Sequence, residues 1–289
     1  MAGLQKEHIE GMMSESDKLT RNLQPAYTLG LGPEPDEQQL TNNALPIHDS
    51  IPMTWYGITD RGMVRDHNED NFALFVIEDK ALFVVADGMG GHDAGEVASR
   101  IAVDVVCSEV REYLNQTDPG CLVERAIQKA NSAVRRQGMS RGSDMGTTLS
   151  VALVAAGTAH IGNVGDSRVY WIENGSITQI TEDHSLVARL VSAGRLTREE
   201  ARDHPRSNVL YRSIGTDEIV KIDRFNEPLN KNGTLLLCTD GLWGDLSDEN
   251  IHRICAGEKD AGTISNRLVQ MAKENGGRDN ITAVVVKIA

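Results

Sequence analysis

The pattern of polar and apolar positions changes near residue 54. Residues 1–53 hold few large apolar side chains and no sustained period, and are punctuated by Gly30-Leu31-Gly32-Pro33-Glu34-Pro35. That texture predicts a flexible or poorly ordered extension without its own fold. From 54 to 289 the chain reads as one folded domain. Short apolar runs predict strands near 54–60, 71–77, 81–86, 148–155, 158–164, 219–225, 233–239 and 281–288. Leu149, Val151 and Leu153 alternate with Thr148, Ser150 and Ala152, the period of a half-buried strand. Residues 169–172 and 177–180 flank Asn174-Gly175, which predicts a hairpin.

Helical spacing lies between these runs. Val97, Ile101 and Val105 recur every four residues, with Ala98, Ala102 and Val106 beside them. Asp118-Pro119 supplies a cap and first turn for a second helix, whose inner face carries Leu122, Ala126, Ala130 and Val134 and which Gly138 is expected to end. Thr197-x-x-Glu200 is a capping box for a short helix, and Ile264, Leu268 and Met271 mark a helix closed by Gly276-Gly277. Strands and helices do not alternate one for one, which disfavours a parallel Rossmann-like sheet. The order predicts an α+β domain of mostly antiparallel sheets with helices packed outside.

Composition narrows the function. The net charge of −13 opposes nonspecific binding to nucleic acid or to an anionic membrane surface. No stretch reaches the ~20 apolar residues of a membrane-spanning helix, and 1–10 lacks the apolar core of a signal peptide. Cys107, Cys121, Cys238 and Cys255 are scattered without a C-x-x-C pair, so neither a zinc knuckle nor a redox dithiol is indicated. The expectation is a soluble cytoplasmic protein.

The chemistry gathers at Asp87, Asp166, Asp240 and Asp279, each at the edge of an apolar, strand-like run. Packed strands bring their ends together, and carboxylates crowded at one rim repel unless a cation lies between them. A hard divalent ion, Mg²⁺ or Mn²⁺, answers that requirement. The loop 61–70 adds Arg65, suited to gripping an anion, and Glu69 and Asp70, suited to holding metal-bound water. In Asp87-Gly88-Met89-Gly90-Gly91-His92, the Gly88 carbonyl is a candidate ligand and His92 a candidate proton donor.

Arg65…Asn68-Glu69-Asp70, Asp87-Gly88-Met89-Gly90-Gly91-His92, Gly146-Thr147-Thr148, Gly165-Asp166-Ser167-Arg168, Thr239-Asp240-Gly241-Leu242-Trp243 and Arg278-Asp279-Asn280 occur in that order. Together they resemble the bacterial form of the metal-dependent (type 2C) protein serine/threonine phosphatases, over roughly 54–288. The resemblance implies a central β-sandwich of two antiparallel sheets flanked by helices, with a dinuclear Mn²⁺/Mg²⁺ centre at one end. It implies that Asp87 bridges both ions, that the Gly88 carbonyl binds one, and that Asp240 and Asp279 complete the other. Asp70, with Glu69 beside it, would hold bound water. Asp166 with Asp240 would hold the third ion that bacterial members often carry, and Arg65 would hold the substrate phosphate. The variable flap of the family falls at about 183–206. Many eukaryotic relatives have a histidine two residues after the bridging aspartate; here Met89 stands there, and His92 lies three residues further on.

The expected reaction is hydrolysis of phosphoserine and phosphothreonine in proteins by a metal-bridging hydroxide, without a covalent intermediate. Phosphoproteins are the expected partners, and a Ser/Thr protein kinase is a partner the resemblance suggests. Two other classes compete: a catalytically silent regulator that binds phosphoprotein or a kinase, and a hydrolase of small phosphoesters. Pseudoenzymes of this kind typically lose a metal carboxylate, whereas Asp87, Asp240 and Asp279 are all present.

Overall fold

A computed structural model of the chain describes residues 37–42, 52–90, 94–202 and 204–289. Two antiparallel sheets lie face to face. The first runs in the order β1 (Glu37–Asn42), β2 (Met53–Asp60), β12 (Ile281–Ile288), β11 (Thr234–Cys238), β8 (Arg168–Glu173) and β9 (Ser176–Gln179). The second runs β10 (Asp223–Pro228), β7 (Thr158–Val164), β6 (Leu149–Ala155), β4 (Lys80–Met89) and β3 (Asp70–Ile77), with the short β5 (Gly146–Thr147) paired to the end of β4.

Alternation along the central strands builds three apolar layers, because successive side chains point to opposite faces. Leu82, Val84 and Ala86 of β4 face α1 (Ala94–Tyr113) and α2 (Pro119–Arg141), while Ala81, Phe83 and Val85 face the other sheet. On β12, Val284, Val286 and Ile288 point between the sheets; Ile281, Ala283 and Val285 point outward onto α6 (Asp248–Gly257) and α7 (Ala261–Glu274). The predicted sandwich of two antiparallel sheets flanked by helices is therefore the observed fold.

Several local expectations are corrected. β6 is buried on both faces, not half-buried, because Ala152 and Val154 pack against the opposite sheet. The innermost row of α1 is Ala98, Ala102 and Val106, each fully buried, while Ile101 and Val105 are only partly covered. Helix α2 passes through Gly138 to Arg141 and ends at Gly142, whose left-handed backbone (φ 61) caps it. The strand expected at 219–225 lies at Asp223–Pro228, where it pairs with β7 from Asp223↔Asn163 to Pro228↔Thr158. Helix α6 is additional to the predicted elements; Ser247 caps it by accepting from the Asn250 amide at 3.2 Å.

Other expectations stand. The Asp118 carboxylate accepts from the Cys121 amide at the start of α2. Thr197 and Glu200 exchange both hydrogen bonds of a capping box, at 2.8 and 3.1 Å, at α4 (Arg198–Arg202). β8 and β9 form the hairpin around Asn174-Gly175. Cys107, Cys238 and Cys255 are buried free thiols and Cys121 is exposed. One part of the expected extension departs from that reading: Glu37–Asn42 pairs with β2 as an edge strand, while most of the remainder of 1–53 lies outside the described residues.

Candidate metal centre

One rim of the sandwich collects the ends of strands from both sheets. β3 and β4 pair so that Asp70 stands opposite Asp87. β11 ends opposite Ala283 of β12, which sets Thr239 and Asp240 beside Asp279 and Asn280. Asp240 opens α5 (Asp240–Trp243), and Asp166 follows the end of β7. The predicted convergence of carboxylates is present: Asp87 is half-buried and feels the charges of Asp240, Asp70, Asp166 and Asp279.

Burial and mutual repulsion disfavour ionisation here. Burial, chiefly, and the neighbouring carboxylates hold Asp87 and Asp166 well above the usual carboxylate range. Burial pushes Asp70 up to about 8, even though its Oδ2 accepts from Thr282 Oγ1 at 2.6 Å and Thr239 Oγ1 at 2.8 Å. Burial and then Asp279 raise Asp240 to about 6, against a hydrogen bond from the Asp87 carboxyl. Two oxygens in this cluster, Asp70 Oδ1 and Asp240 Oδ1, are buried without any hydrogen-bond partner. Buried polar atoms are rarely left so.

Arg65 is the cation at this rim. Its Nη2 donates to Asp279 Oδ2 at 2.6 Å. Burial works against its charge, but Asp279, Asp240 and Asp87 hold its pKa above the ordinary value. Among the described residues, no three acidic, histidine or cysteine side chains are already drawn around a single ion position. Protons, hydroxyl donors and Arg65 take up the charge instead. The donor set nevertheless fits hard divalent cations. It consists of carboxylate oxygens, two of them orphaned, in a neighbourhood whose excess negative charge only positive charge relieves.

The remaining candidates are placed as follows. Gly88 is compelled by packing: a Cβ there would lie 2.1 Å from the Gly95 carbonyl oxygen of α1. Its amide donates to the Glu69 carbonyl at 3.1 Å. The Glu69 carboxylate accepts from the Gly95 amide at the first turn of α1, and burial, chiefly, raises its pKa. His92 lies outside the described residues.

Sequence reasoning quoted some supporting residues without giving them work. Thr239 and Thr282 grip Asp70, and Thr282 stands in no sequence motif. Asn280 accepts from the Glu69 amide at 2.8 Å and donates to the carbonyls of Arg61 and His67 at 2.9 Å each, which pins the Arg65 loop. Thr148 Oγ1 accepts from the Asp87 amide at 2.9 Å. Trp243 Nε1 donates to the Asp166 carbonyl at 3.0 Å. A polar residue adjoining an acidic strand end was the available signal.

A cleft of about 780 Å³ opens from Arg65, Asp240 and Asp279 toward Arg189, Arg202 and Tyr211. Arg189 and Arg202 belong to the expected flap, which contains α3 (Leu186–Ser192) and α4; Tyr211 lies just beyond it, where Leu186–Val209 and Tyr211–His184 backbone bonds tie the chain back.

Comparison with known proteins agrees with this architecture. The family model described as protein phosphatase 2C matches residues 63–281. The serine/threonine phosphatase stp of Listeria innocua is 38% identical over 235 residues, covering 79% of this chain and 93% of its own. The crystal structure of serine/threonine phosphatase Stp1 from Staphylococcus aureus superposes with a TM-score of 0.75 at 34% identity, covering 86% of this chain and 99% of that one. The catalytic domain of the phosphatase PstP, crystallised with two manganese ions, gives a TM-score of 0.73 at 32% identity and covers 82% of this chain and 98% of its own. The chain belongs to the protein phosphatase 2C family of metal-dependent serine/threonine protein phosphatases.

Proposed function

We propose that this enzyme hydrolyses phosphoserine and phosphothreonine in proteins at two divalent cations, Mn²⁺ or Mg²⁺, held at the acidic rim. The observation that carries this reading is the convergence of Asp70, Asp87, Asp166, Asp240 and Asp279 beside Arg65. Asp87, the Gly88 carbonyl, Asp240 and Asp279 are assigned to the two ions, with Asp166 and Asp240 serving a third. Bound cations supply charge neutralisation at phosphorus and a water whose pKa lies near neutrality.

The chain's own residues do the rest. Arg65 turns from Asp279 to the substrate phosphate and forms charge-assisted bonds to its oxygens. Asp70 is held by Thr239 and Thr282, and Glu69 stands beside it; these carboxylates orient water in the site. Water attacks phosphorus in line, the ester P–O bond breaks, and its electron pair leaves with the seryl or threonyl oxygen. That oxygen takes a proton, a role assigned to His92 from its position in sequence. Inorganic phosphate and the free hydroxyl side chain are the products. The cleft between rim and flap is where peptide flanking the phosphoresidue would lie.

Phosphoproteins are the substrates of this reading, with a Ser/Thr protein kinase as the natural source of those phosphates. The cytoplasm is the proposed compartment; among the described residues no helix is long and apolar enough to cross a membrane. Assays with a phosphothreonine peptide and a chromogenic aryl phosphate, in Mn²⁺ and in excess chelator, test the reading. Metal-dependent release of phosphate from the peptide is expected. Turnover confined to the aryl ester, or no turnover at all, would replace it with the small-ester hydrolase or the silent regulator.

A further inference from the structure

His184 lies outside the acidic rim, is 1% exposed, and has every ring nitrogen engaged. Its Nδ1 accepts from the Gly165 amide at 2.9 Å. An amide can only donate, so Nδ1 is unprotonated and the ring proton sits on Nε2. Nε2 lies 3.0 Å from Asp223 Oδ2 and 2.8 Å from Arg212 Nη1, and the same Arg212 nitrogen donates to Asp223 Oδ1 at 2.8 Å, which closes the group. The backbone of His184 is equally committed. Its amide donates to the Gly165 carbonyl at 3.0 Å, and its carbonyl accepts from Tyr211, just beyond the flap, at 2.9 Å.

Gly165 is therefore held at both its amide and its carbonyl by one residue, and it directly precedes Asp166. On the other side of the same turn, Trp243 donates to the Asp166 carbonyl, and Arg168 lies over the Trp243 ring at 3.6 Å while pairing with Asp183 at 2.7 Å. Asp183 and His184 are consecutive. The root of the flap thus grips the turn that presents Asp166 from two directions, and Asp223 fixes the imidazole that makes the central contact. A fully satisfied buried polar network rigidifies the segments it joins, here the flap root and the Gly165–Asp166 turn.

The geometry points to His184 as a positioning residue for Asp166: its Nδ1 orients the Gly165–Asp166 turn so that the carboxylate meets the cation assigned to it. This rests on the metal reading above. Residues that orient a ligand without touching the ion typically change metal affinity by about 10–100-fold.

Calorimetric titration of the full chain with Mn²⁺ tests it, using wild type, Asp166→Asn, His184→Leu and His184→Asn. The Asn side chain places Oδ1 where Nδ1 stands and keeps the acceptor for Gly165. His184→Leu is expected to weaken the Asp166-dependent binding event by about tenfold or more, as Asp166→Asn does, and to spare the others; His184→Asn is expected to restore it. Amide hydrogen exchange of Gly165 should accelerate in His184→Leu and return toward wild type in His184→Asn. Normal Asp166-dependent binding that is indifferent to both His184 variants overturns this inference alone, as does equal weakening of every event in both. A wild type that binds no Mn²⁺ overturns the metal reading and this inference with it.

Discussion

Arg65 and Asp279, 214 positions apart in the chain, meet in a 2.6 Å ion pair at the mouth of the cleft. The pair is partly exposed, at 45% and 25% of the two side chains, so water and salt screen it and it can exchange partners at low cost. A guanidinium in that position offers a phosphate dianion two donors at once. Arg65→Ala is expected to raise KM for a phosphopeptide by about tenfold, equivalent to ~1.4 kcal/mol, with a smaller fall in kcat. Removing a cation from the rim also leaves Mn²⁺ affinity unweakened. Steady-state kinetics beside a Mn²⁺ titration check both, and an unchanged KM would take Arg65 out of substrate binding.

The crowding of carboxylates separates stability from activity. Asp240→Asn removes one of the charges that raise Asp87 and Asp166. Without added metal, that variant should melt higher than wild type, because like-charge repulsion is relieved. Metal-dependent phosphate release should be lost. Melting in chelator and phosphatase assays are the measurements, and full activity in Asp240→Asn would defeat the metal-site assignment.

The raised carboxyls fix the sign of the pH dependence. Asp70 and Asp240 have folded pKa values near 8 and 6, above the ordinary 3.8. Their protonated forms are favoured by folding, so that contribution is fully present below about pH 4. It is lost as pH rises through 6 and then 8 in the metal-free protein. Cations compete with those same protons, so Mn²⁺ should raise the melting temperature more at pH 8 than at pH 6. Thermal melts in chelator and in Mn²⁺ at the two pH values test this; a stabilisation independent of pH contradicts it.

Thr282 offers a narrower test. Its hydroxyl donates to Asp70 Oδ2 at 2.6 Å and is also 2.7 Å from Thr59 Oγ1, all buried. Thr282→Val keeps the shape and removes the donor. Loss of a buried hydrogen bond to an acidic group predicts a destabilisation of about 1.5–3 kcal/mol in denaturant unfolding. Mn²⁺ affinity should also fall, since Asp70 loses one of its two hydroxyl anchors. An unfolding midpoint equal to wild type would show that Thr239 alone holds Asp70.

Gly88 connects the rim to helix packing. A methyl group there would collide with the Gly95 and Glu69 carbonyl oxygens, at 2.1 and 2.6 Å, and neither is the movable end of a side chain. Gly88→Ala is therefore expected to cost several kcal/mol, by forcing α1 from β4, and to reduce soluble yield. A soluble Gly88→Ala protein with wild-type melting would show that α1 can shift without penalty.

Much of this molecule was legible along the chain. The apolar runs of β4, β6, β11 and β12 announce strands, and the polar residues at their ends stand out against them. Cap chemistry at Asp118 and Thr197 marks helix starts because it is local, a matter of three or four residues. Gly138 misled for the same reason: a glycine in a helical pattern reads as a stop, and only the wider helix shows that the stop is Gly142. The strand expected at 219–225 slipped because an edge strand takes its register from its partner, here β7.

Residue order and side-chain chemistry by themselves determined most of the elements, an antiparallel α+β class and the acidic strand ends, since periodicity and capping act within a few residues of one another. The tertiary structure alone decided which of those ends adjoin: that Asp70 faces Asp87, that Thr239 and Thr282 share Asp70, and that His184 reaches Gly165. These are contacts between segments far apart in the chain. They are set by sheet order, register and the stacking of one sheet on another, none of which is written in any single stretch of sequence.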